Sequence, residues 1–183
     1  MSYTQKRAFI LIGASGSGKS TVRRTLEEKF ADTVVRAFSL DDCRLQFYEE
    51  KKPKLAGKED VSEGTIYSQA FAYANKRGKE FDEYVAQAWK EALNAQVVIV
   101  DNVNASRKSR AKWVEGLKKN NFKITMVQMQ TPLEVIIARQ ETRGDKKVPA
   151  NIVREQYMRQ EEAMVGSECD ELIVVDGTKP WRI

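Results

Sequence analysis

Gly13, Gly16 and Gly18, interleaved with Ser15 and Ser17 and followed by Lys19, Ser20 and Thr21, form a run that can wrap a polyphosphate. Glycine lets the backbone turn tightly enough to aim successive N–H groups at phosphate oxygens. Lys19 stands where it reaches the outer phosphates, the Ser20 hydroxyl is placed to ligate Mg²⁺, and a helix opening near Gly18 points its positive end at the anion. The run follows the apolar segment Ala8 to Ile12 and precedes the stripe Val22, Leu26 and Phe30. Strand, glycine-rich turn and amphipathic helix are the setting such a loop requires, and the ligand implied is ATP with Mg²⁺.

Three further groups of residues fall where a sheet would bring them to that loop. Asp41, Asp42 and Arg44 follow a segment read as the second strand. A carboxylate at a strand's carboxyl end is placed to accept the proton of an attacking hydroxyl, and Arg44 to hold an anionic group of the acceptor. Asp41 or Asp42 can equally cap the next helix. Asp101 closes the apolar run Val97 to Val100 and leads into Asn102-Val103-Asn104, a position that orders Mg²⁺ or its water shell, with Asn104 available as a cap. Arg139 and Arg143 flank a basic, glycine-containing stretch of about 139–150, the composition of a lid that closes cations over a transferring phosphate. Arginines at a helix end are also favoured by its dipole alone.

The elements that position these groups alternate along the chain. Strands are expected at Ala8 to Ile12, Thr33 to Leu40, Val97 to Val100, Lys123 to Gln130 and Leu172 to Val175. Helices are expected from the loop to about Phe30, from Asp42, and over Glu63 to Ala74, Glu80 to Leu93, Ala105 to Lys119, Pro132 to Glu141 and Ala150 to Met164, with Lys51 to Asp60 a loop. This order predicts an α/β fold: one doubly wound parallel sheet in a three-layer sandwich, with nucleotide at the carboxyl ends of the strands. One domain over 1–183 is expected, with a helical insert at about 51–94 on the acceptor side.

Composition narrows the chemistry. Histidine is absent, so any proton acceptor is a carboxylate and a histidine-bound zinc is excluded. Cys43 and Cys169 are too few for a disulfide framework and lack metal-ligand spacing. No apolar run is long enough to cross a bilayer and Met1 to Arg7 has no signal-peptide core, so a cytoplasmic protein without membrane contact is expected. The net charge of +5 favours polyanionic partners. Lys51, Lys52, Lys54 and Lys58, then Lys76, Arg77 and Lys79, then Arg107, Lys108, Arg110 and Lys112 form local basic groups, each a solvated face or a nucleic-acid contact.

In this order the residues resemble the 5′-polynucleotide kinase family, the kinase part of bacteriophage and animal polynucleotide kinase-phosphatases. Phage kinases have a loop similar to Gly16 to Thr21 and an Asp-Asp-x-Arg matched by Asp41, Asp42 and Arg44. Animal enzymes carry an Asp-Asn-Thr-Asn matched by Asp101 to Asn104, with Ser109-Arg110-Ala111 following at similar spacing. Arg139 to Pro149 is similar to the phage lid. The resemblance implies a P-loop kinase-like fold and a role in nucleic-acid repair. In it Lys19 and Ser20 hold donor phosphates and Mg²⁺, Asp41 is the general base, Arg44 binds the phosphate beside the acceptor hydroxyl, and Arg143 with Arg139 stabilises the transferring group. The acceptor implied is the 5′-hydroxyl of DNA or RNA. The relatives' phosphatase motif is not matched, since Val174 occupies the nucleophile position before Asp176-Gly177-Thr178, and no phosphatase activity is expected. Two other readings stay open: the same fold acting on a nucleoside, nucleotide, small metabolite or hydroxylated modified base, and a nucleotide switch without an acceptor. A homo-oligomer is also left open.

Overall fold

A computed structural model describes residues 5–51, 63–144 and 147–181. Its elements follow the order β1 (Arg7–Ile12), α1 (Lys19–Lys29), β2 (Val35–Phe38), α2 (Leu40–Lys51), α3 (Glu63–Lys76) and α4 (Gly78–Ala92). After these come β3 (Val97–Asp101), α5 (Arg107–Lys119), β4 (Lys123–Gln130), α6 (Leu133–Glu141), α7 (Ala150–Met158) and β5 (Glu171–Asp176). The five strands make one sheet in the order β2-β3-β1-β4-β5, and every pairing is parallel. The chain runs to one edge of the sheet and returns to the other, the doubly wound arrangement expected from the alternating pattern.

Burial on both faces explains why β1 and β3 are unbroken apolar runs. Successive side chains of a strand point to opposite faces, and β1 divides accordingly. Ala8, Ile10 and Ile12 enter one core with Val98, Val100, Met126, Trp113 and Leu117, whereas Phe9 and Leu11 enter the other with Ile99, Val127, Val22 and Leu26. Helices α4 and α5 are anchored on the first face by a mutual contact of Phe38, Trp89 and Trp113, whose ring centroids lie 4.9–5.0 Å apart. Phe47 of α2 packs against Tyr73, Phe81 and Tyr84, binding α2, α3 and α4 into a helical group beside the β2 edge. A small third core of Ala14, Ile136 and Val153 seats α6 and α7 on the loop after β1.

Three element boundaries differ from the sequence expectation. The second strand is shorter than Thr33 to Leu40, and α2 begins at Leu40 instead of Asp42. The Ser39 hydroxyl accepts from the backbone N–H of Asp41 and Asp42 at 3.2 and 3.3 Å, so it caps α2 and both aspartates stand in the first helical turn. The final helix stops at Met158, short of Met164. Glu161 N donates to Ala105 O at 2.8 Å, and Arg110 donates to the carbonyls of Glu161 and Glu162, so tertiary partners claim this backbone in place of helix bonds. Of the predicted loop from Lys51 to Asp60, Lys51 ends α2 and the rest lies outside the described residues.

Arg110 also changes the reading of its basic group. It is 0% exposed, with Nε and Nη2 donating to the Glu168 carboxylate at 2.8 and 3.0 Å and its other donors on carbonyls of Asn104, Ala105, Glu161 and Glu162. This guanidinium is a structural tie between the start of α5 and the irregular segment leading to β5, not a nucleic-acid contact. Arg110→Ala strands a partly buried carboxylate and several carbonyls, and is expected to lower unfolding free energy by about 3–5 kcal/mol. The neighbouring Arg107→Ala, at an exposed position, is expected to change it by only about 0.5 kcal/mol. Urea titration of the two variants against wild type checks the contrast.

Candidate active site

The loop between β1 and α1 has its three glycines at positive φ: Gly13 at 157°, Gly16 at 93° and Gly18 at 105°. At Gly16 the positive φ favours glycine, and an added Cβ, 2.4 Å from Gln140 Nε2, would push aside the amide that donates to Ser15 O. A loop that turns its N–H groups inward toward an anion turns its carbonyls elsewhere, and each buried carbonyl needs a donor. The donors come from α1, α6 and the residue after β4. Lys19 Nζ reaches Gly13 O and Ala14 O at 2.8 and 3.1 Å, and Gln140 Nε2 reaches Ser15 O at 2.6 Å. Arg139 Nη1 reaches Gly16 O at 3.3 Å and Thr131 Oγ1 reaches Ser17 O at 2.8 Å. Ser15 N–H donates to Gln156 Oε1 of α7 at 2.9 Å. The Ser17 hydroxyl is buried without a partner.

A cleft of about 1390 Å³ opens over this loop. Its lining includes Ser15, Gly16, Gly18, Lys19, Ser20 and Thr21 of the loop and α1 with Arg139 and Arg143 beside them, Asp41, Asp42 and Arg44 of α2, and Asp101 at the end of β3. All the sequence-predicted site residues except Gly13 and Ser17 therefore line one space, and those two belong to the same loop. The volume exceeds the roughly 300–1,000 Å³ usual for a single small ligand, room for a nucleotide and a second substrate.

The electrostatics are interlocked. Burial lowers the Lys19 pKa to about 8, opposed by the charges of Asp101 and Asp41 and reinforced by that of Arg143. Burial raises the Asp101 pKa, with Lys19 and Arg23 opposing. Asp101 is 14% exposed on its side chain and lies 3.5 Å from Arg23 Nη1. The same nitrogen donates to Asp42 Oδ2 at 2.9 Å, so Asp42 is tied across to α1. Asp41, with a side chain 57% exposed, accepts from Arg44 Nη1 at 2.7 Å and faces the cleft. The two adjacent aspartates are thus separated in role by which arginine each one meets.

The lid base adds its own contacts. Arg143 Nη1 donates to Ser15 Oγ at 2.7 Å, which sets a cation beside the loop. Arg139 is turned to backbone: besides Gly16 O it reaches Gly177 O at 2.7 Å, joining the loop to the turn after β5. Asp145 and Lys146 of the lid lie outside the described residues. Asn104 does not cap α5. Its side chain donates to Leu11 O and Val100 O, fastening the ends of β1 and β3, while Ser106 and Ser109 form the capping box. Asn102 Oδ1 accepts from Leu40 N–H at 2.8 Å and holds the start of α2 to β3.

Gln140, Gln156, Thr131 and Arg23 escaped the sequence reading. A signal existed for Gln140, which stands one turn after Ile136 on a buried helix face, where a polar side chain must find a partner. Thr131 and Gln156 gave none, because their partners are more than 100 residues away in sequence.

The Ser20 hydroxyl and the Asp101 carboxylate are oxygen donors of the kind Mg²⁺ takes from a protein when phosphates and waters complete its shell. A cation there would also relieve the desolvation that raises the Asp101 pKa. The residues fit the ion.

A parallel sheet in this order, a phosphate loop after its central strand and an arginine-bearing helical lid define a P-loop kinase fold. The chain belongs to the AAA domain family, whose model matches residues 9–166. A candidate kinase from Chloroflexus aurantiacus J-10-fl shares the fold over 99% of this chain and 90% of its own, with 12% identity and a TM-score of 0.64. A gluconokinase from Sinorhizobium meliloti 1021 is 16% identical with a TM-score of 0.56, covering 96% of this chain and 85% of its own. A chain of the Pnkp1/Rnl/Hen1 RNA repair complex is 21% identical with a TM-score of 0.57. It matches 86% of this chain, which spans 45% of that longer one. No curated protein sequence matches. Among the described residues no helix is long and apolar enough to cross a membrane.

The loop's dependence on its external donors is testable. Gln140→Ala or Gln156→Ala leaves a loop group unpaired, and each is expected to weaken MgATP binding about tenfold, within the range of a lost buried hydrogen bond. Gln87→Ala, whose amide meets only exposed Glu91, is the control expected to bind as wild type. Calorimetric titration with MgATP reads all three.

Proposed function

We propose that this protein moves the γ-phosphate of ATP to the 5′-hydroxyl of a polynucleotide. The observation that carries the reading is the Asp41–Arg44 pair, held at 2.7 Å on the wall facing the phosphate loop across an open cleft. Lys112 adds positive charge to the cleft lining and favours a phosphodiester strand over an uncharged sugar, whereas Lys147 and Lys179 are ion-paired with Glu141 and Asp176. The fold alone does not choose the acceptor, since a gluconokinase and a chain of an RNA repair complex both share it.

In this mechanism the loop N–H groups and Lys19 hold the donor phosphates, and Ser20 and Asp101 would hold Mg²⁺, which would supply countercharge to the phosphates. Asp41 accepts the proton of the acceptor hydroxyl as its oxygen bonds to the γ-phosphorus. The bond from that phosphorus to the β–γ bridging oxygen breaks and ADP leaves. Arg44 holds the phosphate next to the attacking hydroxyl. Arg143 stabilises charge on the transferring group, and Arg139 keeps the loop and the turn after β5 in place. Positioning and charge stabilisation supply most of the catalysis.

The test uses labelled ATP with 5′-hydroxyl DNA and RNA strands, beside nucleosides and gluconate. Transfer to the strands is expected, steeply weakened by salt. Asp41→Asn is expected to lower kcat about 10²- to 10⁴-fold with MgATP affinity unchanged. Transfer only to a small acceptor would assign the same machinery to a small-molecule kinase, and equal rates for wild type and Asp41→Asn would remove Asp41 as base.

A further inference from the structure

Helix α3 presents two different faces. Ala70 and Ala74 are fully buried, and Tyr73 packs on Phe47 and Tyr48, with the Tyr48 hydroxyl donating to Gln69 Oε1 at 2.7 Å. These contacts fix the helix against α2. Tyr67 and Phe71, one turn apart, line the active-site cleft together with Ser68. Phe71 is 48% exposed, unusual for a large aromatic on a helix whose other face is so well packed.

What stands beside Phe71 gives that exposure a meaning. The Arg44 guanidinium carbon lies 5.1 Å from its ring centroid, and Arg44 Nη1 is 2.7 Å from Asp41. Arg44 thus bridges an exposed ring and a carboxylate that both line the cleft. The rings of Phe71 and Phe81 meet the guanidinium, and its Nη1 holds Asp41, so the arginine is aimed by protein contacts. An exposed aromatic ring attracts a planar partner, and every nucleobase has a π-face.

Resting on the polynucleotide reading, we propose that Phe71 is the acceptor-specificity residue: it stacks the terminal base of the strand whose 5′-hydroxyl faces Asp41 and whose adjoining phosphate meets Arg44. Sequence-independent binding follows, because stacking tolerates any base while discriminating strongly against an acceptor without one. Tyr67 flanks the same space on the side of Asp41: burial and the nearby carboxylate raise its phenol pKa, so it stays neutral and able to donate.

The experiment compares two oligonucleotides, identical but for a base or an abasic residue at the 5′-hydroxyl end, with the full chain and saturating MgATP. Wild type is expected to show a KM about tenfold lower for the base-bearing strand. Phe71→Ala should lose that difference by raising KM about tenfold more for the base-bearing strand than for the abasic one, with the KM for ATP unchanged. Phe71→Trp should retain it, and Phe71→Leu, apolar but without a π-face, should not. Equal KM values for the two strands with wild type overturn the proposal. So does an equal loss on both strands in Phe71→Ala, which would make the ring only a support for Arg44. If wild type phosphorylates neither strand but does phosphorylate a small acceptor, the polynucleotide reading itself fails and the inference with it.

Discussion

The outward carbonyls of the phosphate loop are the constraint to which the rest of the site answers. A backbone that converges its N–H groups on an anion leaves its carbonyls diverging, and in a buried loop they need donors of their own. Here α6 supplies Gln140 and Arg139, the residue after β4 supplies Thr131, and Lys19 turns back on the loop's first residues. Gly177, after β5, is pressed so close that a Cβ would lie 2.4 Å from Ser17 O. The loop is therefore not a flexible glycine segment waiting for ligand. It is held open by a ring of neighbours, and preorganisation of this kind lets fixed dipoles stabilise phosphate charge without rearranging.

Charge balance across the cleft follows from the same crowding. Arg23 meets Asp42 and Asp101, Arg44 meets Asp41, and burial works against both Lys19 and Asp101 in their ionised forms. A triphosphate with its cation adds countercharge to each. The lowered Lys19 pKa and the raised Asp101 pKa are complementary signs of a site whose electrostatics are completed by what it binds.

Most of the sheet was legible in the sequence because its signals are local. The apolar runs Val97 to Val100 and Ala8 to Ile12 read directly as central strands, and the glycine spacing marked the loop between β1 and α1. The second strand and the final helix were misjudged at their ends, where Ser39 and Arg110 redirect backbone that propensity alone would have continued. Asp41, Arg44 and Asp101 stood out because charged residues after apolar runs are conspicuous, and Arg143 because it lies in a basic, glycine-containing stretch; all four line the cleft. Gln140, Gln156 and Thr131 did not stand out, because an amide or hydroxyl gains its role only from the distant carbonyl or N–H that it meets. Arg110 shows the reverse error: a basic residue in a basic run looked solvated, yet it is buried against Glu168.

The two halves of the site are drawn from separate stretches of chain. Apart from Lys19 and Val103, the groups that hold the phosphate loop come from residues after Gln130, on the side of β4 and β5, whereas Asp41, Arg44 and Phe71 are carried by α2 and α3. On the proposed reading, exchange of α2 and α3 would alter the acceptor contacts while leaving in place the hold of Gln140, Arg139 and Thr131 on the loop, so the two substrates could be changed one at a time.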